Sequence, residues 1–188
     1  MNTCRICNNP ACHETSYCEY CLNHYQDYIK IGLNLESFQY HDLSYKRRDK
    51  HATFLEIAQI ISKRSPDSQT QHGCVLVKND RVVATGCNGW NAGSDDLLIP
   101  NIRPAKYRFV IHAELNAILN AAKEGVSIDG ATAYITGRPC TECAKALIQC
   151  NIKEWFIGKV GYAAASDPTE QTLWEFLVRH HGVQINQL

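Results

Sequence analysis

The sequence has no excess of charge: 19 lysines and arginines stand against 19 aspartates and glutamates in 188 residues. That balance excludes gross electrostatic attraction to nucleic acid or to an anionic membrane and leaves only local basic patches as a basis for such binding. Any apolar run long enough to span a bilayer is also missing. The opening stretch MNTCRICNNP lacks the apolar core of a secretory signal, so a cytoplasmic protein is expected. There is no internal repeat or low-complexity tract, and few aliphatic residues precede Ile29. What the chain does have in quantity is cysteine, ten in all.

In a reducing compartment, cysteines in C-x-x-C pairs point to metal rather than to disulfides. Cys4/Cys7 and Cys18/Cys21 make two such pairs close together, and Cys140/Cys143 makes a third far downstream. Four thiolates from the first two pairs would close a structural zinc site of the zinc-ribbon or treble-clef kind, with Cys12 and His13 as competing ligands. Residues 1–45 cannot bury much apolar surface alone, and a metal would substitute for a core. The charged stretch YKRRDK then marks a boundary, and residues 46–188 form the main domain.

In that domain HATFLEIAQIISKR places Phe54, Ile57, Ala58 and Ile61 at helical spacing, and GCVLVKNDRVVATGC reads as a hairpin turning at Asn79-Asp80. A long loop rich in glycine and proline follows. The stretch FVIHAELNAILNAA predicts a buried helix with Leu115, Ile118, Leu119 and Ala122 on its apolar face. ATAYIT and EWFIG read as strands, CTECAKALIQC and DPTEQTLWEFLVRHH as helices, and VQIN as a last short strand. In the last helix Asp167 suits the N-cap, Pro168 the first position, Glu170 a capping box and Gly182 the end. The order αββαβαβα(β) implies a mixed sheet covered on both faces, a three-layer α/β/α sandwich.

His112 and Glu114 stand at the start of the buried helix, where residues two apart are about 200° apart in an ideal helix. They converge only on something beyond the helix end. Cys140 follows Pro139 at another predicted helix start, where the dipole and free N–H groups favour thiolate. His112, Cys140 and Cys143 therefore supply three tetrahedral zinc ligands and leave the fourth position open, with Glu114 facing it as a proton carrier. Taken singly these would be a satisfied core histidine, a capping glutamate and a structural cysteine pair. Taken together they match H-x-E followed by P-C-x-x-C, the zinc-deaminase signature.

The wider segments HAELNAILNAA, GATAYITGRPCTECAKALIQCNIKEW, GCNGW and SKRSPDSQTQHGCVLV together resemble the deoxycytidylate deaminases, within the cytidine deaminase fold family. The resemblance runs from residue 50 to 188 and leaves the N-terminal cysteines outside it. It implies hydrolytic conversion of dCMP to dUMP and ammonia, a route toward thymidylate, dCTP and dTTP as effectors, and a homo-oligomer, often a hexamer. It assigns Asn88 to the sugar, the backbone at Ala113 to the pyrimidine carbonyl, and Arg64, Ser65 and Tyr162 to the 5′-phosphate. His72 stands where many relatives carry an apolar residue, and reads as a partly buried histidine against a second metal role. Asn151 replaces a helix-ending glycine and tolerates the left-handed conformation needed there. Cys74, Cys87 and Cys150 read as small core residues. Asn120 and Lys123 are candidates to touch a neighbouring nucleotide or subunit.

The sequence is compatible with three functions. The first is a deaminase of dCMP. A deaminase of another cytosine nucleotide (dCTP, a base-modified dCMP) or of a polynucleotide would share the zinc site, though the polynucleotide enzyme would need a basic or aromatic strand-binding surface. A non-catalytic zinc module, regulating through its ribbon, would have no use for Glu114.

Overall fold

In a computed structural model the described residues are 47–160 and 167–188. The four N-terminal cysteines and Tyr162 lie outside them, as do Cys12 and His13. Residues Asp49–Leu188 form one compact unit.

The elements are α1 (Lys50–Ser62), β1 (Gly73–Lys78), β2 (Arg81–Cys87), a 3-10 turn (Ala105–Arg108), α2 (Ala113–Lys123), β3 (Thr132–Gly137), α3 (Thr141–Gln149), β4 (Glu154–Val160), α4 (Pro168–His180) and β5 (Gln184–Gln187). Strand order is β2-β1-β3-β4-β5. The β1 strand pairs antiparallel with β2 and β3, while β3, β4 and β5 run parallel. The mixed sheet expected from the alternation of strands and helices is thus observed. The hairpin turns where expected, with Asn79 and Asp80 at φ 53° and 58°, the left-handed pair that matches strand twist. Asn151 adopts φ 56°, and Asn151 and Ile152 donate to Ile148 and Leu147 carbonyls, closing α3.

Strand alternation sorts the core into two faces. Val75, Val77, Tyr134 and Phe156 face α1, with its Leu55 and Ala58. Cys74, Leu76, Ala133, Ile135, Trp155 and Ile157 face the other side, where α2, α3 and α4 contribute Ala117, Leu147 and Trp174. Trp155 is fully buried and its indole donates to Ile152 O at 2.8 Å, so Trp155→Ala would cost about 3–5 kcal/mol.

Two expectations need correcting. The inward face of α2 carries Ala113, Ala117 and Ala121, with Ile118 partly buried, whereas Leu115 and Leu119 are 38% and 47% exposed and Ala122 is also outward. The reason is proximity. A Cβ on Gly86 of β2 would lie 2.4 Å from both Ala113 O and Ala117 N, so the helix lies too close to the sheet for leucines between them. Hydrophobicity alone selected the wrong stripe. Glu170 likewise forms no capping box: Asp167 caps α4 through Thr169 N at 2.8 Å, while the Glu170 carboxylate accepts from Thr141 N and Oγ1 at 2.9 and 2.5 Å. It caps α3 instead, because α4 packs beside that helix.

Candidate active site and metal centre

His112 and Cys140 are the N-caps of α2 and α3, both with extended backbone (φ, ψ −70°, 156° and −69°, 167°). At that position a side chain projects past the first turn, which is how residues near two helix starts meet. His112 Nδ1 lies 3.3 Å from Cys140 Sγ and 3.5 Å from Cys143 Sγ. Among the described residues these three are the only group whose ligand atoms gather within 4.8 Å. Zinc with ordinary Zn–N and Zn–S bonds in tetrahedral geometry separates such atoms by about 3.6 Å, so the donor set fits zinc.

Glu114, in the first turn of α2, is 5% exposed, and burial pushes its carboxyl pKa up. The neighbouring Cys143, whose backbone N–H donates to Cys140 Sγ at 3.4 Å, together with His112 outweighs burial and holds the Cys140 thiol well below its ordinary value. Cys143 is pushed up correspondingly, and His112 is pushed up by its bond to Cys140.

All of this opens on a cavity of about 610 Å³ whose lining includes His112, Ala113, Glu114 and Cys140. Its other wall comes from the loops before β1 and before α2. Asn88 is 5% exposed there: its Oδ1 accepts from His72 N at 2.7 Å, and its Nδ2 donates to Thr70 O at 2.9 Å and Asp67 Oδ2 at 3.3 Å. His72 lines the same cavity, half-buried, with Nδ1 3.3 Å from Thr136 Oγ1; burial lowers its pKa.

Arg64 is exposed and Ser65 is buried with its hydroxyl accepting from Asp67 N at 3.2 Å; neither lines the cavity. Asn120 donates to Thr85 O at 2.8 Å, and Lys123 is exposed in the last turn of α2. Cys74 is buried in β1, and Cys87 and Cys150 are half-buried.

Sequence reading missed Asp67, Arg103, Lys106 and Arg138, all on the cavity wall. Lys106 is 2% exposed and sets its ammonium 2.7 and 2.6 Å from the two Asp67 oxygens. Burial pushes Asp67 up, but Lys106 and the N–H groups of Gln69 and Thr70 outweigh it and leave the carboxyl below its ordinary value. Arg138 donates to Gln171 Oε1 and lies over the Trp174 ring, 4.8 Å from its centroid. Its place directly before Pro139-Cys140 was a usable signal. A buried lysine in a loop carries none.

Residues 48–159 match the family model of the cytidine and deoxycytidylate deaminase zinc-binding region. The chain is 37% identical over 131 residues to a probable deoxycytidylate deaminase of Caenorhabditis elegans, an alignment covering 67% of this chain and 65% of that relative's length. It is 39% identical over 153 residues to the deoxycytidylate deaminase of Mus musculus, covering 76% and 83%. Among solved structures, apo dCMP deaminase from cyanophage S-TIM5 superposes with a TM-score of 0.59 at 25% identity, over 76% of this chain and all of that one. Sequence, fold and the gathered His-Cys-Cys set agree: the chain belongs to the zinc-dependent cytidine and deoxycytidylate deaminase family.

Proposed function

We propose that the protein catalyses hydrolytic deamination of dCMP to dUMP and ammonia, supplying dUMP for thymidylate synthesis in the cytoplasm. The observation that carries this is a buried carboxylate, Glu114, on the same cavity as the His112–Cys140–Cys143 set. Zinc, when bound by these three, supplies Lewis acidity that brings the pKa of a water to about 7. Glu114 takes a proton from the attacking water, delivers it to N3 of cytosine as C4 is attacked, and carries another to the departing ammonia. Its burial favours this work, since a carboxyl whose pKa is raised by desolvation is a stronger base toward the water proton than an ordinary carboxylate. The Ala113 N–H, unsatisfied within the first turn of α2, is available to the pyrimidine carbonyl.

Asn88 is assigned to the sugar. For the 5′-phosphate the resemblance points to Arg64, Ser65 and Tyr162; on the cavity wall Lys106 is paired with Asp67, and the other two long-chain cations, Arg103 and Arg138, are the ones we favour as the phosphate partners. We further propose a second, structural zinc on Cys4, Cys7, Cys18 and Cys21, a zinc element over 1–45 apart from a catalytic domain over 46–188, dCTP and dTTP as effectors, and a homo-oligomer up to a hexamer. Exposed Leu115, Leu119, Leu173 and Phe176 offer apolar surface for such assembly.

The test is ammonia release by the purified full chain from dCMP, CMP, dCTP, deoxycytidine, 5-methyl-dCMP and single-stranded DNA. Preferred turnover of dCMP is expected; no release from any monomer would overturn the reading. Metal analysis should return two zinc per chain, falling to one in Cys18→Ser/Cys21→Ser with the deaminase activity kept.

A further inference from the structure

The buried Lys106–Asp67 pair has no assigned task in deamination, yet it occupies the cavity wall. Removing two charges from water costs several kcal/mol, which the attraction between them offsets only with good geometry and further hydrogen bonds. Here both conditions are met. Lys106 bridges the two carboxylate oxygens, Oδ1 also accepts from Gln69 N and Thr70 N at 2.8 and 3.1 Å, and Oδ2 faces Asn88 Nδ2 at 3.3 Å.

The consequence falls on Asn88. An amide side chain has two donors on nitrogen and an acceptor oxygen, and its environment decides which end points where. Both Asn88 donors are consumed, by Asp67 Oδ2 and Thr70 O, and one lone pair of Oδ1 is taken by His72 N. What remains for a ligand is the second lone pair of Oδ1, an acceptor alone. Were Lys106 absent, a carboxyl so buried would gain a proton, and a protonated oxygen facing Asn88 Nδ2 would set donor against donor. Asn88 would then lose one of its three bonds and face a repelling donor, keeping only those to His72 N and Thr70 O, so its amide would be held less firmly.

We propose that Lys106 is a positioning residue that, through Asp67, locks Asn88 with only an acceptor available to the cavity, so that the site selects a nucleotide presenting a sugar hydroxyl as donor. This rests on the assignment of Asn88 to the sugar of dCMP, whose one sugar hydroxyl is at C3′.

Two experiments test it. In the wild-type enzyme, kcat/KM is compared for dCMP, its 2′,3′-dideoxy analogue and the 3′-amino-2′,3′-dideoxy analogue, which restores a donor. The dideoxy compound should lose about 100-fold or more, because a buried polar group is left unpaired, while the 3′-amino compound stays within about tenfold of dCMP. Equal turnover of dCMP and the dideoxy compound would overturn the proposal, as would a 3′-amino compound no better than the dideoxy one. Then the charge-neutral pair Lys106→Met/Asp67→Asn, which removes both ions together, should keep zinc and kcat within about threefold but raise KM for dCMP and shrink the dCMP/dideoxy ratio to about tenfold or less. An unchanged ratio, or a fall in kcat with KM unmoved, refutes the lock. If that pair does not fold, Lys106→Met is read by the same ratio. Exchange of the Asn88 side-chain NH2 protons, followed by NMR, reads the lock without substrate: slow in wild type and at least tenfold faster in Lys106→Met, with fast exchange in wild type refuting it. A failure of dCMP turnover therefore sinks the proposed substrate without deciding the lock, which the exchange experiment decides.

Discussion

Two helix starts in this protein carry the same local pattern, a zinc-capable N-cap followed two residues later by glutamate: His112-Ala113-Glu114 at α2 and Cys140-Thr141-Glu142 at α3. Their glutamates end up in opposite surroundings. Glu114 is 5% exposed on the cavity, while the Glu142 side chain is 80% exposed and pairs with Lys145 at 2.6 Å. The helices are anchored differently as well. Backbone proximity to β2 at Gly86 pins α2, whereas a carboxylate from α4, Glu170, holds the first turn of α3. Chemistry at a helix start is therefore decided by which side of the helix is driven against the sheet, and the short motif alone does not decide it.

The comparison breaks most sharply at the glutamates. Glu114→Gln should lower kcat by about 10²- to 10⁴-fold with zinc retained, while Glu142→Gln should leave kcat within twofold, roughly, its ion pair being worth under about 1 kcal/mol. Parallel ammonia assays and zinc analysis on the two variants check this. Equal losses would show that both helix starts act on the substrate.

Next in size is the anchoring of α2. Gly86→Val puts a branched side chain where even a Cβ would sit 2.4 Å from the helix backbone, so about 3 kcal/mol or more of stability should be lost in urea melts. Gly93→Ala is the loop comparison: the space around its Cβ position is open, so only the strain of a side chain at φ 83° is expected, about 1–2 kcal/mol, with α2 spared. The side-chain anchor of α3 should cost less. Glu170→Ala removes charge-assisted bonds to Thr141 and should destabilise by about 1–2 kcal/mol. The Thr141 hydroxyl and N–H hold the Glu170 carboxyl below its ordinary value of 4.5. Its contribution is thus present above pH 4.5 and lost as pH falls through the lower folded value; Glu170→Gln should flatten that acid limb in melts followed against pH. Smallest of all, Leu119→Lys on the outward face of α2 should change the stability of a monomer by about 0.5 kcal/mol or less, against a large loss for Ala117→Leu on the inward face.

Much of this molecule was legible before its structure. The order of elements, the Asn79-Asp80 turn, the Asp167 cap and the left-handed Asn151 rest on short-range rules of turn chemistry and capping, and these hold wherever nothing longer-ranged competes. Competition is what misled the reading of α2 and Glu170. Leu115 and Leu119 are more apolar than Ala117, but Gly86 in another strand sets a separation that only alanine fits. Glu170 has the sequence of a capping-box residue, but Thr141 from a neighbouring helix offers two donors at once.

By itself, then, the sequence determined the ligand types, their spacing and their place at helix starts, because metal chemistry and N-terminal capping are written in residues a few positions apart. The tertiary structure alone decided that Glu114 rather than Glu142 is buried on the cavity, that alanines rather than leucines face the sheet, and that Lys106 meets Asp67 across 39 residues to orient Asn88. Those outcomes depend on how closely separate backbones approach and on which polar groups lose water together, and no local pattern carries either quantity.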